Sequence, residues 1–470
     1  MNRKIGAIIG FSLMLCWTSP AAALVQFPYD IDNMPTCWNP AALDPGCGAP
    51  GIGAEDVDWN NNGIYNGPPM IVGTTIPAVD YHYYGGSDGF ALMADRTDGS
   101  GGSTGRTDMY TFGFMDLTGI PAAMTMDSGF NKGDFPGPTL DVYEGQEIYL
   151  TLTNFGMKMR PDLFDPHTVH FHGFPNAATI FDGEPMASIA INMSADLTYY
   201  YNIAEPGTYM YHCHVEATEH MEMGMLANQV TRPRQELYAL KYGPVAGFSR
   251  FAYNDCDNLP DFVPAAAVEG ATKDIPLAVG GLVGPMCGAS GYDVEALIKF
   301  SEFDPEFHKA DLVVQPLPFA GFEGKYFMIN GRGYPDTINI ANLSNNDGYP
   351  AQKMHALVTA TVGQKILFRI INLSVQNFTV MDFMGLTARV VGKDAKLQRG
   401  PDPDGVGPLT GKDLTYTVNS IMVGPGQSYD VVVDTTGVPA GTYYLYSRML
   451  NQLNNNQMDR GGVMTEIRIN

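Results

Sequence analysis

The chain has 470 residues, of which 45% are hydrophobic and 11% aromatic, so it is long enough to bury apolar cores in two or more domains. Its formal net charge of −23 argues against binding to nucleic acid or to anionic membrane surfaces. Cationic or neutral partners, including metal ions, fit this charge better. After the N-terminal region no apolar stretch reaches the roughly 18 residues of a membrane-spanning helix.

Residues 1–23 have the pattern of a signal peptide. Arg3 and Lys4 precede an apolar run, which ends in the small residues Ala21, Ala22 and Ala23. This pattern predicts a protein that is exported to the periplasm or to the extracellular space.

The number of cysteines points to one that is not in a disulfide. Removal of residues 1–23 leaves five of them, and an odd number outside the cytoplasm indicates one free or metal-bound thiol. Cys37 with Cys47 and Cys256 with Cys287 are close enough in sequence to form disulfides. Cys213 is then the free thiol.

Short β-rich runs dominate the rest of the chain, and Gly-Pro turn signals separate them. Such punctuation indicates an all-β sandwich or barrel. The clearest predicted strands are 147–153, 197–203, 364–371, 429–434 and 442–447. The best helix candidate is 293–300.

Two segments follow one plan of turns and strands, the first near 136–232 and the second near 334–470. Each has a Gly-Gln turn before a strand and a Gly-Thr-Tyr sequence at the start of its last strand. The predicted organisation is a signal peptide (1–23), a Gly- and Asn-rich extension leading into the first domain (24–135), a first domain (136–232) and a second domain (233–470).

The sequence Tyr-His-Cys-His at 211–214, followed by His220 and Met225, contains the side chains of a blue-copper site. Such a site binds copper through two imidazoles and one thiolate, with a thioether at a longer axial distance. In a strand, His212 and His214 share one face and Cys213 faces the other way, so the segment can serve two metal sites.

A second His-rich motif spans 165–173, and six of the nine histidines lie between residues 167 and 220. In a strand His170 and His172 share a face, whereas His167 points elsewhere. One predicted site therefore takes His167, Cys213, His220 and Met225, and another takes His170, His172, His212 and His214. Zinc is the competing metal, but a closed zinc site would need neither the methionine nor the flanking His pairs.

These motifs resemble the multicopper oxidases, the cupredoxin-fold family that includes laccases and, more distantly, copper nitrite reductases. The resemblance covers roughly residues 130–470. It is most specific at 167–173 and 212–225, and it is moderate at 327–332 and 423–427. It implies two cupredoxin-like Greek-key β-sandwich domains in tandem, with copper in the first and none in the second.

The resemblance also implies roles for the residues. The set His167, Cys213, His220 and Met225 corresponds to the type 1 copper ligands, and the set His170, His172, His212 and His214 to half of a type 2/type 3 trinuclear cluster. In the family, electrons pass from a reducing substrate through the type 1 copper to the cluster that reduces dioxygen. The residues that carry this step here are Cys213, His212 and His214.

The chain departs from the family pattern at the second copper site. A trinuclear cluster of the family uses eight imidazoles, and these motifs supply four. Only His82, His308 and His355 remain, and none belongs to a His-x-His pair. The second domain has the stretch 376–382, without histidine, where paired ligands are expected.

Three arrangements of the second site stay open. A partner chain supplies the missing pairs, or water, carboxylate or methionine ligands complete a reduced centre. Alternatively, a single copper is bound by His172, His212 and one histidine of a neighbouring subunit, such as its His355, as in nitrite reductases.

The sequence therefore predicts a copper-dependent oxidoreductase that passes electrons from a small reductant or metal ion to a His-rich second copper site and dioxygen. The alternative is a non-enzymatic electron-transfer or copper-binding cupredoxin subunit of a larger assembly. A nitrite-reductase-like enzyme fits less well, because His170 occupies the position expected for a catalytic aspartate. Glu216, Glu219 and Glu222 are interpreted mainly as solvated residues, with reception of a cationic donor as the alternative.

Overall fold

A computed structural model of the chain describes residues 70–97, 103–174, 178–263, 273–401 and 410–470. The predicted signal peptide at 1–23 and the predicted pairing of Cys37 with Cys47 lie outside these residues. Within the described segments, no helix is both long enough and apolar enough to cross a membrane.

Two four-stranded sheets form the first sandwich. Its strands are β1 (Val79–Thr97), β2 (Ser103–Asp116), β3 (Leu140–Tyr143), β4 (Glu147–Gly156), β5 (His170–Phe171), β6 (Asp196–Asn202), β7 (Gly207–His212) and β8 (Leu226–Arg232). One sheet has the order β2-β1-β4-β6 and the other β3-β8-β7-β5. Fully buried side chains of both sheets, among them Phe112, Leu150 and Tyr211, form a shared core.

Residues before 136 contribute to this sandwich. β1 pairs in parallel with β4, so that Tyr84 lies opposite Leu152, and it pairs antiparallel with β2. Part of the predicted extension 24–135 thus supplies an edge strand and its neighbour. The alternating polar and aromatic side chains from Asp80 to Tyr83 are the sequence signal for this strand.

The second sandwich has a seven-stranded and a five-stranded sheet. The larger sheet contains β9 (Val294–Phe303), β10 (Tyr326–Ile329), β12 (Lys365–Asn372), β14 (Ala388–Lys393), β15 (Lys396–Leu397), β16 (Tyr416–Val418) and β18 (Ser428–Asp434). The smaller contains β11 (Val358–Ala360), β13 (Thr379–Asp382), β17 (Ser420–Val423), β19 (Gly441–Ser447) and β20 (Met464–Ile469). All five strands singled out in the sequence are present, and the all-β prediction is confirmed.

Helices are short, and they lie in the connections: α1 (Thr125–Gly129), α2 (Ala217–Glu222), α3 (Arg234–Tyr242) and α4 (Pro305–Leu312). The start of α4 is well defined, because the carboxylate of Asp304 accepts the backbone N–H of Glu306 at 2.9 Å and Pro305 occupies the first turn.

The prediction of a helix at 293–300 is wrong, since residues 294–300 belong to β9. Glu295, Ala296 and Leu297 favour a helix by local propensity. However, β9 pairs with both β10 and β12, and this tertiary pairing outweighs the propensity of single residues.

The cysteine prediction holds where the structure describes it. Cys256 and Cys287 form a disulfide, and Cys213 is free and buried.

An apolar cluster joins the two sandwiches. It includes Met210 and Leu226 of the first sandwich with Phe303, Met328 and Ile371 of the second. Because Met210 and Leu226 lie on either side of the His-Cys-His segment, the second sandwich packs close to the predicted metal ligands.

Candidate metal centre

Cys213 lies at the end of a strand pair in the first sandwich. β7 ends at His212, and the backbone N–H of Cys213 donates to the carbonyl oxygen of Met225 at 3.1 Å. β5 pairs with β7 so that His170 lies opposite His212. This pairing brings the two His-rich motifs to the same end of the sandwich.

The first cluster contains one thiol and two imidazoles, all fully buried. Sγ of Cys213 is 3.1 Å from Nδ1 of His220 and 3.9 Å from Nδ1 of His167. The ligand atoms of these three residues lie within 4.8 Å of one another, close enough to share one ion. Met225 is also fully buried, and its Cε and the ring of His167 both lie against Gly86 of β1.

The loop between Cys213 and Met225 folds His220 back toward the thiol. Glu216 has a left-handed backbone (φ 46°) before α2, and the N–H of Met225 donates to the carbonyl oxygen of His220 at 2.8 Å. Thr168 supports the same region, because its hydroxyl oxygen accepts the N–H of His214 at 3.1 Å.

The two imidazoles of the first cluster differ in their electrostatic surroundings. Burial lowers the pKa of His167 well below its ordinary value, and the charge of His220 adds to this effect. Burial also acts to lower the pKa of His220, but the charge of Cys213 and the nearby carboxylate of Asp165 raise it to about 10. A metal ion would therefore have to displace a proton from His220 when it binds.

The second cluster consists of imidazoles. Nε2 of His172 and Nε2 of His212 are 2.8 Å apart, and the ligand atoms of His170, His172 and His212 lie within 4.8 Å of one another. His214 lies at the edge of this cluster, and its ring centroid is 4.6 Å from that of His170. The structure thus brings the predicted quartet together, three of its members more tightly than the fourth.

Backbone oxygens fix the orientation of these rings. Nδ1–H of His170 donates to the carbonyl oxygen of Asp182 at 2.7 Å, and Nδ1–H of His212 donates to that of Cys213 at 2.7 Å. Each Nε2 is then left for a metal, the usual arrangement around a metal-binding histidine. Cys213 therefore contacts both clusters, through its sulfur and through its carbonyl oxygen.

His172 and His212 of the second cluster are neutral at neutral pH. Burial, followed by the charge of His170, lowers the pKa of His172 to about 4. Burial likewise lowers the pKa of His212 well below its ordinary value. Neutral imidazole is the form that binds metal ions.

The second cluster opens into a cleft of about 390 Å³ between the sandwiches. His170 and His172 lie on one wall, and the second sandwich supplies Asp394, Ala395, Gly426 and Ser428. Among the described residues that line this cleft, the second sandwich contributes no imidazole.

The other three histidines join neither cluster. Nδ1–H of His308 donates to the carbonyl oxygen of Tyr110 at 2.5 Å, and its Nε2 is 3.5 Å from Glu222. His82 lies beside Asp80, and His355 is exposed. All nine histidines are in the described segments, and the second cluster contains four of them.

Several supporting residues were not found by sequence reasoning. Gly86 packs against the first cluster from β1, and Gly426 offers its backbone to the ring of His172 from the second sandwich. Oδ2 of Asp165 is 3.8 Å from Nε2 of His220, and the only sequence signal for Asp165 was its place in the His-rich motif at 165–173. Glu222, expected to be solvated, is fully buried.

Two models described as multicopper oxidase match the chain, one over residues 122–236 and the other over residues 320–467. Multicopper oxidase MmcO of Mycobacterium tuberculosis is 31% identical over 134 residues, which are 28% of this chain and 24% of that protein. Laccase-18 of Oryza sativa subsp. japonica is 24% identical over 327 residues, 68% of this chain and 40% of that protein. The chain thus matches less than half the length of these relatives.

Solved structures show the fold. The blue copper oxidase of Nitrosomonas europaea superposes with a TM-score of 0.51 at 17% identity, covering 83% of this chain and 86% of that one. The multicopper oxidase mgLAC gives a TM-score of 0.51 at 16% identity, covering 84% of this chain and 87% of that one. The predicted tandem of cupredoxin-like domains is confirmed.

The chemistry of the two clusters fits the metal that this family binds. A buried thiol lies between two imidazoles, with a buried thioether nearby, and neutral imidazoles converge in the second cluster. Thiolate, thioether and imidazole together suit copper better than harder cations. The two matched regions span more than half of the chain. The chain belongs to the multicopper oxidase family, whose cofactor is copper.

Proposed function

We propose that this protein is a copper oxidoreductase that takes electrons from a small reductant or a metal ion and passes them to dioxygen through two copper sites. The type 1 site uses His167, Cys213, His220 and Met225. The second site uses His170, His172, His212 and His214. One observation carries the proposal: Cys213 has its sulfur in the first cluster and its carbonyl oxygen hydrogen-bonded to His212 of the second.

The residues of the two clusters have different roles in this proposal. Burial of Cys213 and His167 keeps water from the first cluster and lets it change oxidation state with little rearrangement. The hydrogen bond between Nδ1–H of His212 and the carbonyl oxygen of Cys213 gives electrons a short route to the second cluster. Bound copper supplies the one-electron oxidation and reduction steps.

The cleft beside the second cluster gives a small oxidant access to the imidazoles. The carbonyl oxygen of Asp182 holds the ring of His170, and the backbone of Gly426 holds that of His172. These contacts orient the rings before copper binds, which favours a defined coordination geometry.

The residues that line the cleft also support a second candidate function. Asp394, Gly426 and Ser428 line the side of the cleft that the second sandwich forms, and none of them carries an imidazole. A non-enzymatic electron-transfer or copper-binding subunit, completed by a partner chain, is therefore the alternative function.

We also propose that the protein works outside the cytoplasm. The disulfide between Cys256 and Cys287 supports this, because disulfides persist mainly in oxidising compartments.

The decisive experiment measures copper per chain in the purified, copper-loaded protein, together with optical and paramagnetic-resonance spectra. We expect an intense thiolate-to-copper absorption that Cys213→Ser abolishes. We also expect a second copper signal that is lost when His172 and His212 are both replaced by Gln. The first substitution should leave the second signal in place.

The outcomes separate the candidates. A type 1 signal alone, at about one copper per chain, would contradict the oxidase and favour the electron carrier. A copper content close to four per chain would show that the number of histidines does not predict the number of coppers bound. Type 1 copper with a single type 2 copper would favour nitrite-reductase-like chemistry.

A further inference from the structure

The first cluster reaches the surface through Asp165. His220 is fully buried, and its Nε2 lies 3.8 Å from Oδ2 of Asp165, whose side chain is 12% exposed. A reductant in solution therefore meets Asp165 and its neighbours before it meets an imidazole. The surface around Asp165 decides which reductants can approach.

Exposed apolar side chains occur in the segment that leads into Asp165 and in the segment that follows α4, and the contact between Arg160 and Asp311 joins these two segments. Phe164, which precedes Asp165, is 74% exposed, and Val314, which follows α4, is 60% exposed. We call this surface the donor face; its apolar members are Met159, Phe164, Val313, Val314 and Phe319. Exposed apolar clusters of this kind often mark interaction sites.

The two halves of the donor face are fixed to each other. The guanidinium of Arg160 donates to the carboxylate of Asp311 in α4 at 2.5 Å, and it also pairs with Asp162 at 2.8 Å. The backbone N–H of Met159 donates to the buried carboxylate of Asp88 at 2.7 Å. A preformed surface loses little conformational freedom when a partner binds.

The donor face has an acidic border. Asp162, Glu216 and Glu306 are exposed, and Glu219 is half-buried close to Asp165. The exposed cationic side chains at 158–165 and 305–319 are Lys158 and Lys309. Arg160 is already paired with two carboxylates. With the net charge of −23, this border attracts positively charged partners.

We propose that the donor face docks a basic one-electron carrier protein, one whose redox centre lies beneath an apolar surface ringed by lysines. The proposal rests on the proposed function, because the first cluster must accept the electron. The partner's ferrous or cuprous centre loses one electron, and the type 1 copper is reduced from Cu(II) to Cu(I). No atom is transferred.

The test uses mitochondrial ferrocytochrome c, a lysine-rich haem protein, and the copper-loaded full chain. Stopped-flow absorption follows oxidation of the haem and loss of the thiolate–copper band. We expect the bimolecular rate to fall about tenfold between low salt and roughly 0.2 M salt, as for electrostatically steered encounters. Lysine-acetylated cytochrome c should react as slowly at low salt as the native form does at high salt.

Substitutions locate the docking site. Phe164→Ala should lower the rate about fivefold, the effect of losing an apolar anchor of moderate strength. A double variant, Glu216→Gln with Glu306→Gln, should weaken the salt dependence. The matched controls are Leu277→Ala and Asp459→Asn, which alter an apolar and an acidic side chain exposed elsewhere. Equal losses in control and test variants would overturn the proposal.

Two further measurements separate this proposal from the proposed function. Phe164→Ala should slow reduction of the type 1 copper by ascorbate less than it slows reduction by cytochrome c, because a small reductant does not need to dock on the donor face. Calorimetric titration of the copper-free chain with cytochrome c measures docking without electron transfer. Salt-dependent binding that needs Phe164 supports the docking site even if no type 1 copper forms. Absence of binding, or oxidation of ferrous ion that needs the carboxylates but not Phe164, overturns it in favour of a metal-ion donor.

Discussion

At the scale of single residues, the second cluster depends on a glycine of the other sandwich. Gly426 has a φ of +78°, and a Cβ at this position would lie 3.4 Å from Cε1 and Nδ1 of His172. The small residue lets the backbone approach the imidazole ring. The second sandwich therefore shapes the cluster without providing a ligand side chain.

A pair of glycine substitutions tests this role. Asn tolerates left-handed backbone, so Gly426→Asn should cost about 1 kcal/mol of unfolding free energy through the backbone. Its side chain should also displace His172 and weaken copper binding at the second cluster. Gly437→Asn is the control, because Gly437 has a φ of +74° with no atom within 4 Å of a built Cβ. Thermal unfolding should show similar losses of stability in the two variants. Copper titration should show weaker binding at the second cluster in Gly426→Asn alone.

The thioether of Met225 gives a second prediction at this scale. Met225→Leu keeps the buried volume but removes a donor that stabilises Cu(II), so we expect the reduction potential of the type 1 copper to rise. Met223→Leu is the control, since Met223 is equally buried in the same loop and is not a predicted ligand. Redox titration of the thiolate–copper band measures both. An equal shift in the two variants would remove Met225 from the ligand set.

The side chains of the two clusters were predictable from the sequence, whereas the residues that support them were not. Cys213, His212 and His170 belong to short motifs, and a strand places alternate side chains on known faces. Gly86 and Gly426 reach the clusters only through strand pairing and sandwich packing, which join residues far apart in sequence. Glycine has no side-chain chemistry to reveal such a contact.

At the scale of elements, β1 contains two adjacent glycines that pack against different groups of side chains. A Cβ on Gly86 would lie 2.9 Å from Cδ2 of His167 and 3.3 Å from Cε of Met225. A Cβ on Gly85, on the opposite face, would lie 2.4 Å from Sδ of Met115 and from a ring carbon of Phe155. One face of the strand therefore supports the first cluster, and the other supports packing.

These neighbouring glycines allow a test of the role of β1. Gly85→Ala and Gly86→Ala should each destabilise the fold by roughly 1–3 kcal/mol through overpacking. Only Gly86→Ala should change the optical and paramagnetic-resonance spectra of the type 1 copper, because it pushes on His167. If the spectra of the two variants are the same, β1 does not position the cluster.

Elements with alternating or β-branched sequences were predicted well, and those with mixed signals were not. β12 and β18 are rich in Ile and Val, and both were expected as strands. β9 contains helix-favouring residues, and only its pairing with β10 and β12 makes it a strand. A single sequence does not reveal this pairing, because the partner strands lie far along the chain.

At the scale of the whole molecule, an ion network joins the two sandwiches. Arg232 of β8 donates to Glu295 of β9 at 3.0 Å. Arg369 of β12 donates to Glu295 at 2.6 Å and to the hydroxyl of Thr208 in β7 at 2.9 Å. Since β7 leads directly to His212 and Cys213, this network fixes the cleft walls relative to the clusters.

Glu295 makes the network sensitive to acid. Burial acts to raise the pKa of Glu295, but the charges of Arg369 and Arg232 outweigh it and lower the pKa from 4.5 to about 2. A carboxyl group with a lowered pKa in the folded state binds fewer protons there than in the unfolded state. Its contribution to stability is therefore present above about pH 4.5 and is lost as the pH falls toward 2.

The substitution Glu295→Gln should consequently have a cost that depends on pH. It leaves the fully buried Arg369 short of one carboxylate, so we expect a loss of about 3 kcal/mol in unfolding free energy at pH 7. The difference from the original chain should narrow below pH 4.5, because the original chain loses the same ion pairs by protonation. Urea unfolding at pH 7, about 4 and about 3 measures it, with Glu323→Gln at an exposed ion pair as the control. A difference that is the same at every pH would mean that Glu295 acts through packing and not through its charge.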